Sequence, residues 1–273
     1  MKKSVRKSIG IIGMGFVGKA VAKGFMLFAV IRTYDIIPEL SSHSFKEVIN
    51  SDIVFICLPT PINKSEKGKC DLSIIYGFFD KLSGIENRNK KTIFVIKSTV
   101  PIGTTKKLSK KYNINNLLHC PEFLTARAAL IDFICPARNI IGGKNQKAIK
   151  ILKQLLEERF PGTSCHIMTS DESEFIKYAA NCFFAVKVSY FNEIKLLTEK
   201  LNLDWDKILK GILTDGRIGQ SHYEVPGYDG KRGYGGSCFP KDINAFIHTM
   251  KDNKVDPILL KASWKQNMKI REK

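Results

Sequence analysis

The sequence predicts an α/β fold in which a doubly wound parallel sheet, residues 1–168, precedes an all-α helical domain, residues 169–273. Three observations support this class. Near the amino terminus a short apolar run meets a glycine-rich turn and then a helical pattern, and further short apolar runs follow it. From residue 169 the apolar residues instead take a long helical spacing. A chain of 273 residues with 44% apolar content is long enough for two such domains.

The first apolar run, Ser8–Ile12, reads as a buried parallel strand that opens a dinucleotide-binding pattern. It continues into a G-x-G-x-x-G turn and a helical stretch that ends near Phe25. In this pattern the first glycine makes the tight turn, the second admits a pyrophosphate, and the third lets helix and strand pack closely. We therefore predict a Rossmann-like domain whose cofactor-binding turn comprises Gly13, Met14, Gly15, Phe16, Val17 and Gly18.

The second apolar run, Ala29–Tyr34, ends at an acidic residue, Asp35. A carboxylate at this position hydrogen-bonds the adenosine ribose hydroxyls and repels a 2′-phosphate. The sequence therefore predicts NAD rather than NADP as the cofactor. The alternative is that Asp35 is only a turn residue at the end of a strand.

Three further runs, residues 52–58, 92–96 and 117–120, predict strands, and the first two end in turns with hydroxyl side chains. Ligands of doubly wound sheets bind at the carboxyl ends of the strands, so Thr60, Ser98 and Thr99 are expected to face the cofactor and substrate. Ordinary turn chemistry explains the same residues equally well. A helix over Gln146–Arg159 and a strand over Cys165–Met168 complete the predicted sheet domain.

A long helix is predicted from Thr169 to about Lys200, with Asp171 and Glu174 at the spacing of a capping box. Its apolar residues cover most of the circumference, which predicts a helix buried between layers.

Lys177 and Asn181 interrupt this apolar pattern four residues apart, on one face of the helix. A buried lysine is unfavourable unless it is paired, so the pattern indicates an ammonium group that stabilises an alkoxide and an amide that binds substrate. The other interpretation is a lysine whose ammonium group reaches solvent.

Residues 233–242, GYGGSCFPKD, combine glycines, a cysteine, a lysine and an aspartate in one turn. Pro240 is suited to the first position of a following helix, so Cys238 is expected just before a helix N-terminus, where a thiolate is favoured. Lys241 is close by in sequence, and Asp242 in the first turn is a candidate base. These features predict a sulfur nucleophile; the alternative is a small buried cysteine beside a structural turn.

This decapeptide resembles the active-site signature of the UDP-glucose/GDP-mannose dehydrogenase family, whose members oxidise the C6 alcohol of a nucleotide sugar to a carboxylate with two NAD molecules. Residues 59–61, 97–104, 121–124, 177–181 and 215–219 also resemble family segments. The catalytic residues that the resemblance implies are Cys238, Lys177, Asp242, Glu122, Asn181 and Thr99. The substrate-binding residues it implies are Glu122, Phe123, Leu124, Lys177, Asn181, Arg217, Gly233, Tyr234 and Gly235.

The implied reaction is the oxidation of UDP-glucose to UDP-glucuronate in two hydride transfers, through a thiohemiacetal and a thioester on Cys238. One position departs from the family, because Ala126 stands where a second glutamate usually lies near the nicotinamide. The resemblance covers about the first two of the family's three domains. Two other functions are compatible with the sequence: a 3-hydroxyacid-type dehydrogenase, or a truncated inactive homologue that binds NAD.

Composition and charge indicate which classes of binding partner the sequence predicts. The net charge is +18, but the lysines are scattered without a nucleic-acid motif, so a nucleic-acid partner is not predicted. Seven cysteines without a C-x-x-C pair indicate free thiols and no metal site, as expected in a reducing, cytoplasmic compartment. The apolar runs are too short to span a bilayer. A homodimer through the helical domain is expected from the resemblance.

Overall fold

The computed structural model describes residues 6–63 and 68–271. The chain forms two compact units, of which the first comprises the segments up to Pro61 and Cys70–Lys177 and the second comprises Ile62–Lys69 and Tyr178–Lys273. The domain boundary predicted at residue 168 lies before the long helix, whereas this division falls within that helix. The excursion Ile62–Lys69, which joins the second unit, has no signal in the sequence.

The first unit is built on a seven-stranded sheet with the order β2-β1-β3-β4-β5-β6-β7. Neighbouring strands are parallel except β5 and β6, which are antiparallel and meet at the pair His119 and Gly142. The predicted fold class is confirmed. The strands are β1 (Ser8–Ile12), β2 (Val30–Tyr34), β3 (Ile53–Ile56), β4 (Ile93–Ile96), β5 (Leu117–His119), β6 (Asn139–Gly142) and β7 (Cys165–Met168).

Helices cover both faces of this sheet because alternate side chains of each central strand point to opposite sides. Ile53 and Phe55 of β3 belong to one apolar core, and Val54 and Ile56 belong to the other. The first core contains side chains of α1, α5 and α6, and the second contains side chains of α2, α3 and α4. These helices are α1 (Phe16–Phe25), α2 (Phe45–Ile49), α3 (Ser73–Ser83), α4 (Thr104–Lys111), α5 (Ala129–Ile134) and α6 (Gln146–Arg159).

The long helix is α7 (Ser170–Lys200), as the sequence predicts, but its N-terminus is capped differently. The Thr169 backbone N–H donates to Glu172 at 2.7 Å and the Glu172 N–H donates to the Thr169 hydroxyl at 3.3 Å. The predicted capping box of Asp171 and Glu174 is therefore wrong, because the same three-residue spacing also fits Thr169 and Glu172. Glu174 is instead buried.

The prediction that α7 is buried between layers is wrong for one side of the helix. Phe183, Tyr190 and Leu197 are 62%, 55% and 54% exposed. Their seven-residue spacing places them on one side of the helix, so this side presents an apolar stripe in the single chain.

The second unit adds three helices after α7, namely α8 (Trp205–Leu213), α9 (Phe239–Asp252) and α10 (Ile258–Arg271). The Asp204 side chain caps α8 by accepting a hydrogen bond from Lys207 N–H. Helix α9 begins at Phe239, so Pro240 occupies the second helical position rather than the predicted first. Within the described residues, no helix is both long enough and apolar enough to cross a membrane.

Candidate active site

In the glycine turn after β1, each glycine is required for a different geometric reason. Gly13 has φ +89°, which L side chains rarely adopt, and an ideal Cβ built at Gly18 would lie 2.0 Å from the Gly13 carbonyl oxygen. Gly15 is the N-cap of α1, and among the residues that the structure describes nothing lies within 4 Å of such a Cβ. The turn thus leaves open space at the N-terminus of α1, which fits the approach of a pyrophosphate to backbone N–H groups. Cofactor binding by these residues stays a prediction.

Asp35 lies beside this turn and is hydrogen-bonded to it. Its carboxylate accepts from Met14 N–H at 2.6 Å and from Ile37 N–H at 3.0 Å. The side chain therefore fixes the glycine turn to the end of β2, a second role that sequence reasoning missed. The Asp35 side chain remains partly exposed, and its recognition of the cofactor ribose stays a prediction.

The turns that follow β3 and β4 are bonded to each other. The Thr60 hydroxyl donates to the Thr99 carbonyl at 2.8 Å, and the Ser98 hydroxyl donates to the Leu58 carbonyl at 2.6 Å. All three predicted residues are buried. Thr60 and Ser98 therefore hold the two turns together at the carboxyl edge of the sheet.

Glu122 and Lys177 form a buried ion pair with Nζ to Oε1 at 3.0 Å and both side chains less than a tenth exposed. The other carboxylate oxygen accepts from Leu124 N–H at 2.7 Å. Burial of Lys177 excludes the interpretation in which its ammonium group reaches solvent. The Phe123 ring lies 5.4 Å from Lys177 Nζ and 4.1 Å from the Arg138 guanidinium, which adds cation–π contacts to the cluster.

Two further buried polar groups that the sequence did not single out lie at the ends of β4 and β5. Lys97 Nζ donates to the Pro121 carbonyl at 3.2 Å, immediately before Glu122. His119 is fully buried and its Nδ1 lies 2.7 Å from the Ser173 hydroxyl. Burial, opposed by a backbone hydrogen bond with Ser98 and assisted by the charges of Lys97 and Lys177, lowers the pKa of His119 to about 3, so this imidazole is neutral. In the sequence, only the positions of Lys97 and His119 at the ends of predicted strands could have indicated these two residues.

In the second unit, the Asp242 carboxylate is 1% exposed and each of its oxygens has a partner. Asn181 of α7 donates to one oxygen at 2.6 Å, and the Lys241 ammonium pairs with the other. The predicted substrate-binding amide and the predicted base are thus in direct contact. The carboxylate is oriented and charge-compensated, as a general base acting at a defined position requires.

Cys238 is the N-cap residue of α9, and the Asp242 N–H of the first turn donates to its carbonyl at 2.8 Å. Its half-exposed thiol lies 3.7 Å from the Ser237 hydroxyl. Cys182 is buried, and this burial, followed by the charge of Asp242, raises the pKa of its thiol. Burial likewise raises the pKa of Cys57 to about 12. No group of three candidate ligands for a metal ion occurs in the part of the chain that the structure describes.

The backbone before Cys238 is held by α7 and α10. Gly233, with φ +71°, donates its N–H to Asn192 Oδ1 at 3.0 Å. Asn267 accepts from Tyr234 N–H at 2.7 Å and donates to the Tyr234 carbonyl at 3.0 Å. Substitution at the neighbouring Gly235 would drive a Cβ into the Arg271 guanidinium. The glycines here serve close packing against helices.

The remaining predicted residues are peripheral. Arg217 is 91% exposed and forms an ion pair with Asp215 at 2.5 Å, so its substrate role stays a prediction. Ala126, at the departure from the family pattern, is exposed and lines an open cavity of about 400 Å³ together with Phe16, Lys19 and Lys23 of α1.

A doubly wound sheet with this glycine turn and an acid after β2 defines a dinucleotide-binding protein. The chain belongs to the UDP-glucose/GDP-mannose dehydrogenase family: residues 39–159 match the NAD binding domain of that family and residues 171–269 match its central domain. NAD is accordingly the cofactor of the first unit.

Known proteins agree with this assignment. A UDP-glucose 6-dehydrogenase of Rickettsia felis is 35% identical over 227 residues, which are 81% of this chain and 48% of that protein. The chain thus spans about half the length of the curated relatives it matches. A UDP-glucose dehydrogenase structure from Pyrobaculum islandicum superposes with a TM-score of 0.85 at 28% identity, covering 98% of this chain and 69% of that one.

One structure bears on the hydroxyacid alternative. A 3-hydroxyisobutyrate dehydrogenase of Mycobacterium tuberculosis has a TM-score of 0.75 at 17% identity, covering 96% of this chain and 92% of that one. At this identity the likeness shows a shared fold alone.

Proposed function

We propose that this chain carries the catalytic residues for NAD-dependent oxidation of the C6 alcohol of a nucleotide sugar, with UDP-glucose as the preferred substrate. The observation that carries the proposal is the arrangement at the start of α9. A half-exposed thiol precedes the helix, and one turn later lies a buried carboxylate bonded to Asn181 and Lys241. Oxidation of a 3-hydroxy acid would not require a cysteine at this position.

The first oxidation needs a base and an anion stabiliser. Asp242, acting through an ordered water, takes the proton of the C6 hydroxyl, while Lys177 and Asn181 stabilise the developing oxyanion. When bound, NAD would supply the hydride acceptor for each of the two oxidations. The product of the first oxidation is an aldehyde, whose carbon must gain a further heteroatom substituent before it can release a second hydride.

Cys238 supplies that substituent. Its thiolate adds to the aldehyde carbon, and protonation of the resulting alkoxide gives a thiohemiacetal. Loss of the hydride and the hydroxyl proton then gives a thioester. Water activated by Glu122 near Thr99 hydrolyses the thioester and returns the free thiol. The sum is one alcohol and one water converted to a carboxylate, with two hydrides transferred.

The proposed reaction is tested by measuring NADH formation with UDP-glucose, GDP-mannose, UDP-N-acetyl sugars and 3-hydroxy acids, followed by analysis of the sugar product. We expect UDP-glucose to give two NADH per uronate. Cys238→Ala should stop uronate formation and leave NADH binding intact, whereas exposed Cys135→Ala should behave as wild type. Uronate released by Cys238→Ala at a comparable rate would refute covalent catalysis. Turnover of a 3-hydroxy acid alone would favour that class of reaction instead.

We further propose a homodimer formed through the helical part of the chain. The support is the exposed stripe of Phe183, Tyr190 and Leu197, since such a stripe on a helix is normally covered by a partner. Phe183→Lys should shift the sedimenting species towards monomer, and Glu86→Lys, at an exposed position outside α7, is the control. A wild-type monomer at high concentration would contradict the dimer.

A further inference from the structure

Glu174 is a buried carboxylate that the proposed chemistry does not use. Its side chain is fully buried, and it accepts three hydrogen bonds from the start of α4. The donors are Gly103 N–H at 2.5 Å, Thr105 N–H at 2.8 Å and the Thr105 hydroxyl at 2.6 Å. Helix α4 has a glycine as its N-cap and no acidic residue in its first turn. Glu174 therefore supplies from α7 the cap that α4 lacks in its own sequence.

The segment between β4 and α4 is held at both ends. At its beginning, the Ser98 and Thr60 hydroxyls bond the turn after β4 to the turn after β3. At its end, Glu174 holds Gly103 and Thr105. The positions of Thr99, whose carbonyl accepts the Thr60 bond, and of the residues between it and Gly103 depend on both attachments.

The order of the strands indicates which part of NAD this segment would meet. Asp35 follows β2 on one side of β1, and the glycine turn follows β1 itself. In such sheets the adenosine ribose lies at the acid and the pyrophosphate lies at the glycine turn. Strands β3 and β4 lie on the opposite side of β1, so the rest of the dinucleotide extends toward the turns that carry Thr60 and Thr99.

We propose that Glu174 is a positioning residue for the nicotinamide half of NAD, acting through the segment between β4 and α4. The inference rests on the NAD site of the proposed function and not on sugar oxidation. A residue that only stabilises the fold would alter the binding of both halves of the cofactor equally, or of neither.

The test compares two variants of α7 in calorimetric titrations of the full chain with NADH and with ADP, which carries only the adenosine and pyrophosphate. Glu174→Gln presents one acceptor oxygen and an N–H₂ group to three donors. We expect it to weaken NADH binding by about tenfold, the effect of roughly one charge-assisted hydrogen bond, and to leave ADP binding unchanged. Glu172→Gln alters an exposed carboxylate of the same helical turn and should change neither affinity.

A second pair of variants keeps the test decisive if Glu174→Gln does not fold. Thr105→Val removes one donor at nearly constant shape and should weaken NADH binding in the same direction by a smaller factor, while Thr105→Ser keeps the hydroxyl and should restore it. NADH affinity unchanged in both Glu174→Gln and Thr105→Val, or an equal loss of ADP affinity, would overturn the proposal. A wild-type chain that binds no NADH would overturn it as well. A chain that shows the expected difference but oxidises no nucleotide sugar would refute only the proposed reaction.

Discussion

Gly15 and Gly18 both belong to the cofactor turn, but adding one methyl group should have a different consequence at each of them. In Gly18→Ala the new Cβ would lie 2.0 Å from the Gly13 carbonyl oxygen, far inside the 3.4 Å at which ordinary contact begins. In Gly15→Ala the new Cβ meets nothing within 4 Å. The first change should therefore affect folding, and the second should affect the approach of the pyrophosphate.

The magnitudes follow from what the new atom touches. Overpacking costs about 1–3 kcal/mol, and the upper end applies at Gly18 because its obstacle is backbone that cannot change rotamer. About 3 kcal/mol corresponds to a fall in Tm of roughly 6–12 °C for a chain of this size. At Gly15 the free energy of unfolding should change by less than about 1 kcal/mol, because the smaller entropy of the unfolded chain offsets the poorer helix cap. NADH affinity should fall there by about ten- to a hundredfold, the loss of one or two charge-assisted bonds.

Thermal unfolding by circular dichroism and NADH titration by calorimetry, both on the same two variants, measure these effects. The expected pattern is a low Tm for Gly18→Ala and a wild-type Tm with weak NADH binding for Gly15→Ala. A similar fall in Tm for both variants, or unchanged NADH affinity in Gly15→Ala, would refute the assignment of roles to these glycines.

Three other perturbations have defined outcomes. Lys177→Met leaves Glu122 buried without its cation, so urea unfolding should show a loss of about 3–5 kcal/mol, partly recovered in the double variant with Glu122→Gln. His119 has a pKa of about 3 in the folded chain against 6.5 in the unfolded chain, so between these pH values the unfolded chain binds more protons. The contribution of the neutral imidazole to stability is therefore lost as pH falls from 6.5 toward 3. Over this range the free energy of unfolding of wild type, relative to that of His119→Gln, should fall by up to about 5 kcal/mol. Asp35→Asn removes the charge that repels a 2′-phosphate, and the NADPH-to-NADH affinity ratio should rise by about tenfold.

Each of these has a control or a contradicting result. Lys153→Met breaks an exposed pair with Glu157 and should cost less than about 1 kcal/mol. A stability difference between wild type and His119→Gln that stays constant from pH 6.5 to 3 would show that this imidazole is not held neutral. Wild-type binding of NADPH as tight as that of NADH would contradict the role of Asp35.

The features that the sequence predicted are those fixed by neighbouring residues. The strand before the glycine turn and the helix Gln146–Arg159 follow from local apolar spacing and glycine chemistry, and both were found within the predicted bounds. The apolar pattern of α7 singled out Lys177 but allowed both burial and solvent exposure of its ammonium group, and the structure shows burial. Glu122, the ion-pair partner of Lys177, lies on a loop that is far away in the sequence, so no local pattern connects the two residues.

Glu174 shows why local patterns fail. The spacing of a capping box fits two overlapping pairs in the first turn of α7, and only the tertiary position of the α4 N-terminus decides that Glu174 points inward. Burial also raises the pKa of this carboxyl to about 7. The short strand Asn139–Gly142 was missed for a related reason, since its burial depends on β7 and on one antiparallel pairing with β5.

The excursion Ile62–Lys69 has a consequence for the order in which the protein can fold as it is synthesised. Gly68 belongs to the second unit, where a Cβ at this position would lie 2.8 Å from the His248 ring. The ribosome adds His248 roughly 180 residues later, which is about 10–40 s at ordinary rates of elongation. Strands β3 and β4, on either side of the excursion, can pair long before that moment. A chain that folds on the ribosome can therefore pair these two strands while Gly68, which lies between them in the sequence, still lacks its neighbour His248.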